Sequence, residues 1–85
     1  MKVCHSPHFR RAYEKLSIAL KLRAEAREII FKNNPFDPRL KTHKLHGKYS
    51  DYWAFSVTSS YRIVFIFSGK DQVVFIDIDD HGIYR

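Results

Sequence analysis

The sequence predicts an α+β domain in which a helical hairpin covers one face of an antiparallel sheet. Three observations carry this. Apolar residues recur at helical spacing up to about residue 32. From Lys41 onward the period changes to two, with aromatic and β-branched residues dominating. The connections between the later segments are short, as in a meander of hairpins. Helices followed by a sheet give two layers around one core.

Met1–His5 is a candidate first strand. Ser6-Pro7 then reads as an N-cap followed by proline at the first helical position, where its missing N–H costs nothing. Phe9, Ala12, Tyr13 and Leu16 follow at i, i+3, i+4 and i+7, which is one helix face. Ile18, Leu22, Ala26 and Ile29 form a second set with helical spacing. On one continuous helix the two stripes would lie more than about 90° apart at ~100° per residue. A break near Leu16-Ser17 is therefore expected, with Ser17 as the second N-cap, and Asn33-Asn34-Pro35 as the stop. Strands are expected at Tyr52–Val57, Tyr61–Phe67 and Gln72–Ile78.

A two-residue loop at Ser59-Ser60 and a four-residue loop at Ser68–Asp71 fix a pairing. Val57 then opposes Arg62, Phe55 opposes Val64, Arg62 opposes Asp77 and Val64 opposes Phe75. One face carries Tyr61, Ile63, Phe65, Phe67, Val74, Ile76 and Ile78 and belongs under the helices. The other carries Trp53, Phe55, Arg62, Asp77 and Asp79 and is the expected working surface. A single bulge would exchange the faces.

With 85 residues the chain has room for one domain, residues 1–85. Its single cysteine, Cys4, excludes an internal disulfide and fits a reducing cytoplasm. No targeting segment is read at the N-terminus, and the longest apolar run, Ile63–Phe67, is too short to span a bilayer, so no membrane role is expected. The net charge of +6 is unevenly placed: residues 1–48 hold twelve Lys and Arg against four acids, residues 49–85 three against five. A basic half points to a polyanionic partner, either nucleic acid or an acidic protein; solubility alone is the competing explanation.

Three blocks have a recognisable order: Lys41-Thr42-His43-Lys44-Leu45-His46-Gly47, Ser59-Ser60-Tyr61-Arg62-Ile63-Val64-Phe65, and Asp79-Asp80-His81-Gly82-Ile83-Tyr84-Arg85. In this order and spacing the chain resembles the RelE/ParE superfamily of toxins from bacterial toxin–antitoxin pairs, over nearly its whole length. The resemblance implies one of two activities. RelE-like and YafQ-like members cut messenger RNA without metal or cofactor, usually on the ribosome. ParE-like members poison DNA gyrase and are not nucleases. A degenerate toxin that only binds its antitoxin is the third reading. All imply a small acidic antitoxin that wraps the basic helical side.

By the same resemblance, Arg62 matches the strand arginine aimed at the scissile phosphate, His81 a C-terminal catalytic position, and Tyr84 an aromatic that holds substrate. His43 falls where YafQ-like members carry a catalytic histidine. Lys44, Lys48 and Arg85 are expected to contact RNA phosphates. Departures are visible too. Trp53 and Phe55 stand where RelE has lysines. Ser56 and Ser60 stand where YafQ-like toxins have a further His and Asp, and Asp77 where they have an Arg.

The chemistry suits these residue types: imidazole for proton transfer near neutrality and guanidinium for a phosphate. Plainer readings stand beside it. Arg62 can simply pair with Asp77, His81 can be a solvated turn residue, and Lys41, Lys44 and Lys48 a solvated basic stretch. Trp53 and Phe55 can be core aromatics instead of a platform for bases. His43-x-x-His46 resembles half of a zinc site but lacks the further ligands such sites use.

Overall fold

The structure is a computed structural model and describes residues 1–80. Strand β1 (Lys2–His5) leads into α1 (Pro7–Glu14) and α2 (Ile18–Asn33). Strands β2 (His43–Lys44), β3 (Trp53–Ser56), β4 (Tyr61–Phe67) and β5 (Gln72–Asp80) follow. The sheet order is β1-β5-β4-β3-β2. Strands β3 to β5 form the expected antiparallel meander, the short β2, which was not expected, pairs antiparallel with β3 at one edge, and β1 adds to the other edge parallel to β5. Among the described residues no helix is long and apolar enough to cross a membrane.

The helix boundaries follow their local chemistry. The Ser6 hydroxyl accepts the Phe9 N–H at 3.0 Å with Pro7 inside the first turn, and the Ser17 hydroxyl accepts the Leu20 N–H at 3.2 Å. Tyr13 ties the two helices together by donating to Glu25 Oε2 at 2.6 Å. Burial first, and then this bond to a carboxylate, push the Tyr13 phenol up to about 12.

The pairing differs from the expected one. Each hairpin loop has three residues, Thr58–Ser60 and Gly69–Asp71, so Trp53 opposes Phe65, Phe55 opposes Ile63, and Phe67 opposes Val73. The Thr58 hydroxyl accepts the backbone N–H groups of Ser60 and Tyr61, a side-chain turn that a count of small residues misses. In the second loop Gly69 supplies a φ of +72°. A bulge between Phe75 and Asp77 then shifts the register again. Phe75 faces the helices before it and Ile78 after it, while Asp77 pairs with Val64 and Asp79 with Arg62.

The core therefore comprises Phe55, Val57, Ile63, Phe65, Val73, Phe75 and Ile78 of the sheet under Phe9, Ala24 and Phe31 of the helices. Val74 and Ile76, expected in this layer, are displaced from it by the shifted register. Phe55, placed by the expected pairing on the working surface, is fully buried here. Phe31 is the central plug: its ring lies 4.8 Å from Phe55, 4.9 Å from Phe65 and 5.5 Å from Phe75.

The second helical stripe also behaves unexpectedly. Ala24 and Phe31 are the buried residues of α2, whereas Ile18, Leu22 and Ile29 are 61–76% exposed. An apolar stripe on α2 thus faces outward.

Candidate functional site

The face of the sheet away from the helices holds Arg62, set on β4 between its cross-strand partners Ser56 and Asp79. Below it lies a small apolar floor of Leu45, Ala54 and Val64, flanked by Tyr49 and Tyr52. Arg62 does not oppose Asp77 as expected, because the bulge moves Asp77 to the position opposite Val64. The two remain diagonal neighbours on one face, within reach of a long side chain. Arg62 is only 6% exposed, and its Nε and Nη2 atoms are shut off from solvent.

His43 shares this face, since it pairs with Ala54 on β3. It lies two strands from Arg62, about 10 Å across the sheet. Its Nδ1 is 3.0 Å from the Lys41 carbonyl, and its side chain is exposed. Lys44 pairs with Trp53, so the register puts it on the opposite face from His43 and Arg62. Lys48 sits in the 3-10 turn Gly47–Tyr49 with Nζ 5.2 Å from the Tyr49 ring centroid. Gly47 has a φ of +70° with open space where a Cβ would stand, so the glycine serves the backbone turn and not a close contact. Lys41 also lies in the left-handed region, at φ 53°, where the chain turns into β2.

His81, Tyr84 and Arg85 lie outside the described residues. Within the described set, the register puts Arg62 and His43 on one face of the sheet and Lys44 on the other. Tyr49 and Tyr52 pack against Leu45, Ala54 and Val64 on the face that carries Arg62 and His43, and Lys48 lies against Tyr49. Those two rings, 5.9 Å apart, were not singled out in the sequence. Their spacing next to Lys48 is the signal that could have found them: a cation beside two rings suits a nucleobase and its phosphate. Trp53 stands on the other face, packed against Phe36 and Phe67 at 5.7 and 5.5 Å. It is a core-edge aromatic and not a platform on the working surface. Among the described residues, no group of three or more His, Cys, Asp and Glu is placed to hold a metal ion.

An open five-stranded sheet under a hairpin of helices has close structural counterparts. A YoeB/ParE toxin from Agrobacterium tumefaciens superposes with a TM-score of 0.81 over 95% of this chain and 99% of its own, at 22% identity. YafQ from Escherichia coli gives 0.77 over 94% and 92%, at 15% identity. RelE in the RelE–RelB complex from Pyrococcus horikoshii gives 0.76 over 96% and 96%, at 19% identity. The chain has the RelE-type toxin fold. No protein-family model and no curated protein sequence matches it. Because the RelE-type likeness lies in the backbone and not in high identity, it fixes the architecture on which these side chains are displayed.

Proposed function

We propose that the protein is the toxin of a bacterial toxin–antitoxin pair and that it cuts messenger RNA by a metal-free route in the cytoplasm, on translating ribosomes. The observation that carries this reading is the near-complete match to the RelE-type fold combined with Arg62 on its open face. RNA cleavage of this kind needs a base for the 2′-hydroxyl, cations for the charge that builds on phosphate, and an acid for the 5′-oxygen. Arg62 and Lys48 are the proposed cations and the Tyr49–Tyr52 pair the stacking surface. His43 and the C-terminal His81 are proposed for proton transfer, with Tyr84 and Arg85 positioning the strand and Lys44 a more distant phosphate contact.

The proposed partner is an acidic antitoxin. The basic N-terminal half supports it, as does the outward apolar stripe Ile18–Leu22–Ile29, which a partner helix would cover. The Pyrococcus neighbour was itself solved in complex with RelB.

One observation favours a second reading. Arg62 is nearly closed off from solvent, which suits a structural arginine in a non-catalytic, gyrase-poisoning toxin. Induced expression with mapping of RNA 5′ ends separates the two. The first reading expects growth arrest with messages cut at defined sites, both relieved by Arg62→Ala and by His81→Ala. Growth arrest with intact messages and gyrase inhibition supports the second and overturns the first.

A further inference from the structure

A cleft of about 330 Å³ lies between α1 and the second half of β5. His8 lines it from α1 and Lys15 from the C-cap of that helix, Tyr61 from β4, and Asp77 and Asp79 from β5. The fold makes this cleft in a simple way. Strand β1 ends at His5, opposite Phe75, so beyond that point no strand among the described residues covers the outer flank of β5. Helix α1 takes its place, anchored by Ser6, whose N–H donates to the Phe75 carbonyl at 3.0 Å and whose hydroxyl donates to the Ile76 carbonyl at 3.1 Å. The bulge occurs in this stretch and brings Asp77 toward the first turn of the helix.

His8 Nε2 consequently lies 3.2 Å from Asp77 Oδ1. The pair is asymmetric. The Asp77 side chain is 6% exposed and its Oδ1 also accepts the Ile78 N–H at 2.8 Å, so the carboxylate is fixed. The His8 side chain is 62% exposed. As a stabilising contact such a half-exposed pair contributes little, while burying a carboxylate is costly. The arrangement holds one edge of an otherwise exposed imidazole against a fixed carboxylate beside the cleft. Lys15 adds an ammonium group there. Arg62 pairs directly with Asp79, one of the lining residues, on the neighbouring strand.

We propose that His8 is a catalytic proton-transfer residue acting on RNA seated in this cleft, with Asp77 as its positioning residue. The proposal rests on the RNA-cutting reading above. His8 Nδ1 takes the proton of a 2′-hydroxyl, and the freed oxygen bonds to the adjacent phosphorus. The bond from that phosphorus to the 5′-oxygen breaks, and the leaving oxygen takes a proton from the acid group of the proposed function. The imidazolium then gives its proton to solvent, and the acid regains one from solvent. The products are a 2′,3′-cyclic phosphate and a 5′-hydroxyl. Lys15 faces the charge that accumulates on the phosphate.

The test uses the full-length protein and one defined message, free and loaded on ribosomes, with cleavage followed from pH 6 to 8.5. His8→Gln is at an exposed position and is expected to retain the wild-type circular dichroism. It is expected to slow cutting about 100-fold or more, the usual scale of a lost general base, and to flatten the acid limb of the rate–pH profile. Asp77→Asn is expected to slow cutting less than His8→Gln, through kcat with KM unchanged. A His8→Gln variant that cuts within about twofold of wild type, with an unchanged profile, overturns this proposal while leaving Arg62-dependent cleavage intact. Wild-type protein that arrests growth but cuts no message overturns the proposed function, and this inference with it.

Discussion

Helices α1 and α2 carry apolar residues at the same spacing and meet the same sheet, but they use those residues differently. On α1, Phe9 is buried, and Ala12, Tyr13 and Leu16 pack against the core beside it. On α2 the most regular apolar set, Ile18, Leu22 and Ile29, looks outward, and a sparser set containing Ala24 and Phe31 looks inward. Spacing identifies a helix; it does not say which of two apolar faces the sheet will take. One large ring in the right place outweighs three aliphatic residues on the other side. Phe31 meets rings from three strands at once, and a small Ala24 allows the helix to come close.

The comparison is broken most sharply at Phe31. Phe31→Ala leaves a cavity among Phe55, Phe65 and Phe75 and is expected to cost about 3–5 kcal/mol in urea denaturation. A small domain has a thin margin, so this variant should be largely unfolded at ambient temperature. A loss below about 1 kcal/mol would mean that α2 does not dock through this face.

The tie between the helices is the next target. Because the Tyr13 phenol is raised from 10.0 to about 12, the fold holds its proton more tightly than the unfolded chain does. That contribution is complete below pH 10 and disappears as pH rises toward 12. Tyr13→Phe should therefore flatten the alkaline loss of stability in this window, read by thermal melts at stepped pH. An unchanged slope would separate Tyr13 from Glu25.

The smallest effect on stability is expected on the outward stripe. Leu22→Gln keeps helix propensity and should change stability by less than about 0.5 kcal/mol. If the proposed antitoxin docks on this stripe, the consequence should appear instead as weaker capture of it, measured by titration calorimetry. Strong destabilisation would place Leu22 in the core after all.

Much of the architecture was written in local chemistry. Both N-caps, the break before Ser17, the stop at Asn34-Pro35 and the three long strands follow from residue type within a few positions. The register does not. It depends on the Thr58 hydroxyl bonding two N–H groups in its own loop, on a three-residue second loop, and on an extra residue in β5. Each moves the pairing by one, and one step exchanges faces. That is why Phe55 was assigned to the surface and why Asp77 no longer faces Arg62 directly. The candidate site was half legible. Arg62 and His43 do share a face, whereas Tyr49, Tyr52 and the His8–Asp77 contact depend on segments far apart in sequence coming together.

The parallel pairing of β1 with β5 sets an order of events during synthesis. Lys2 pairs with Gln72 and His5 with Phe75, so the first strand made waits for the last. Contacts this distant in sequence form late and slowly. The meander can assemble from neighbouring segments, but the α1–β5 cleft cannot exist until β5 has left the ribosome. On the proposed RNA-cutting role, a chain still being translated would therefore be harmless to its own message: the machine that makes it is done with most of that message before the cleft closes.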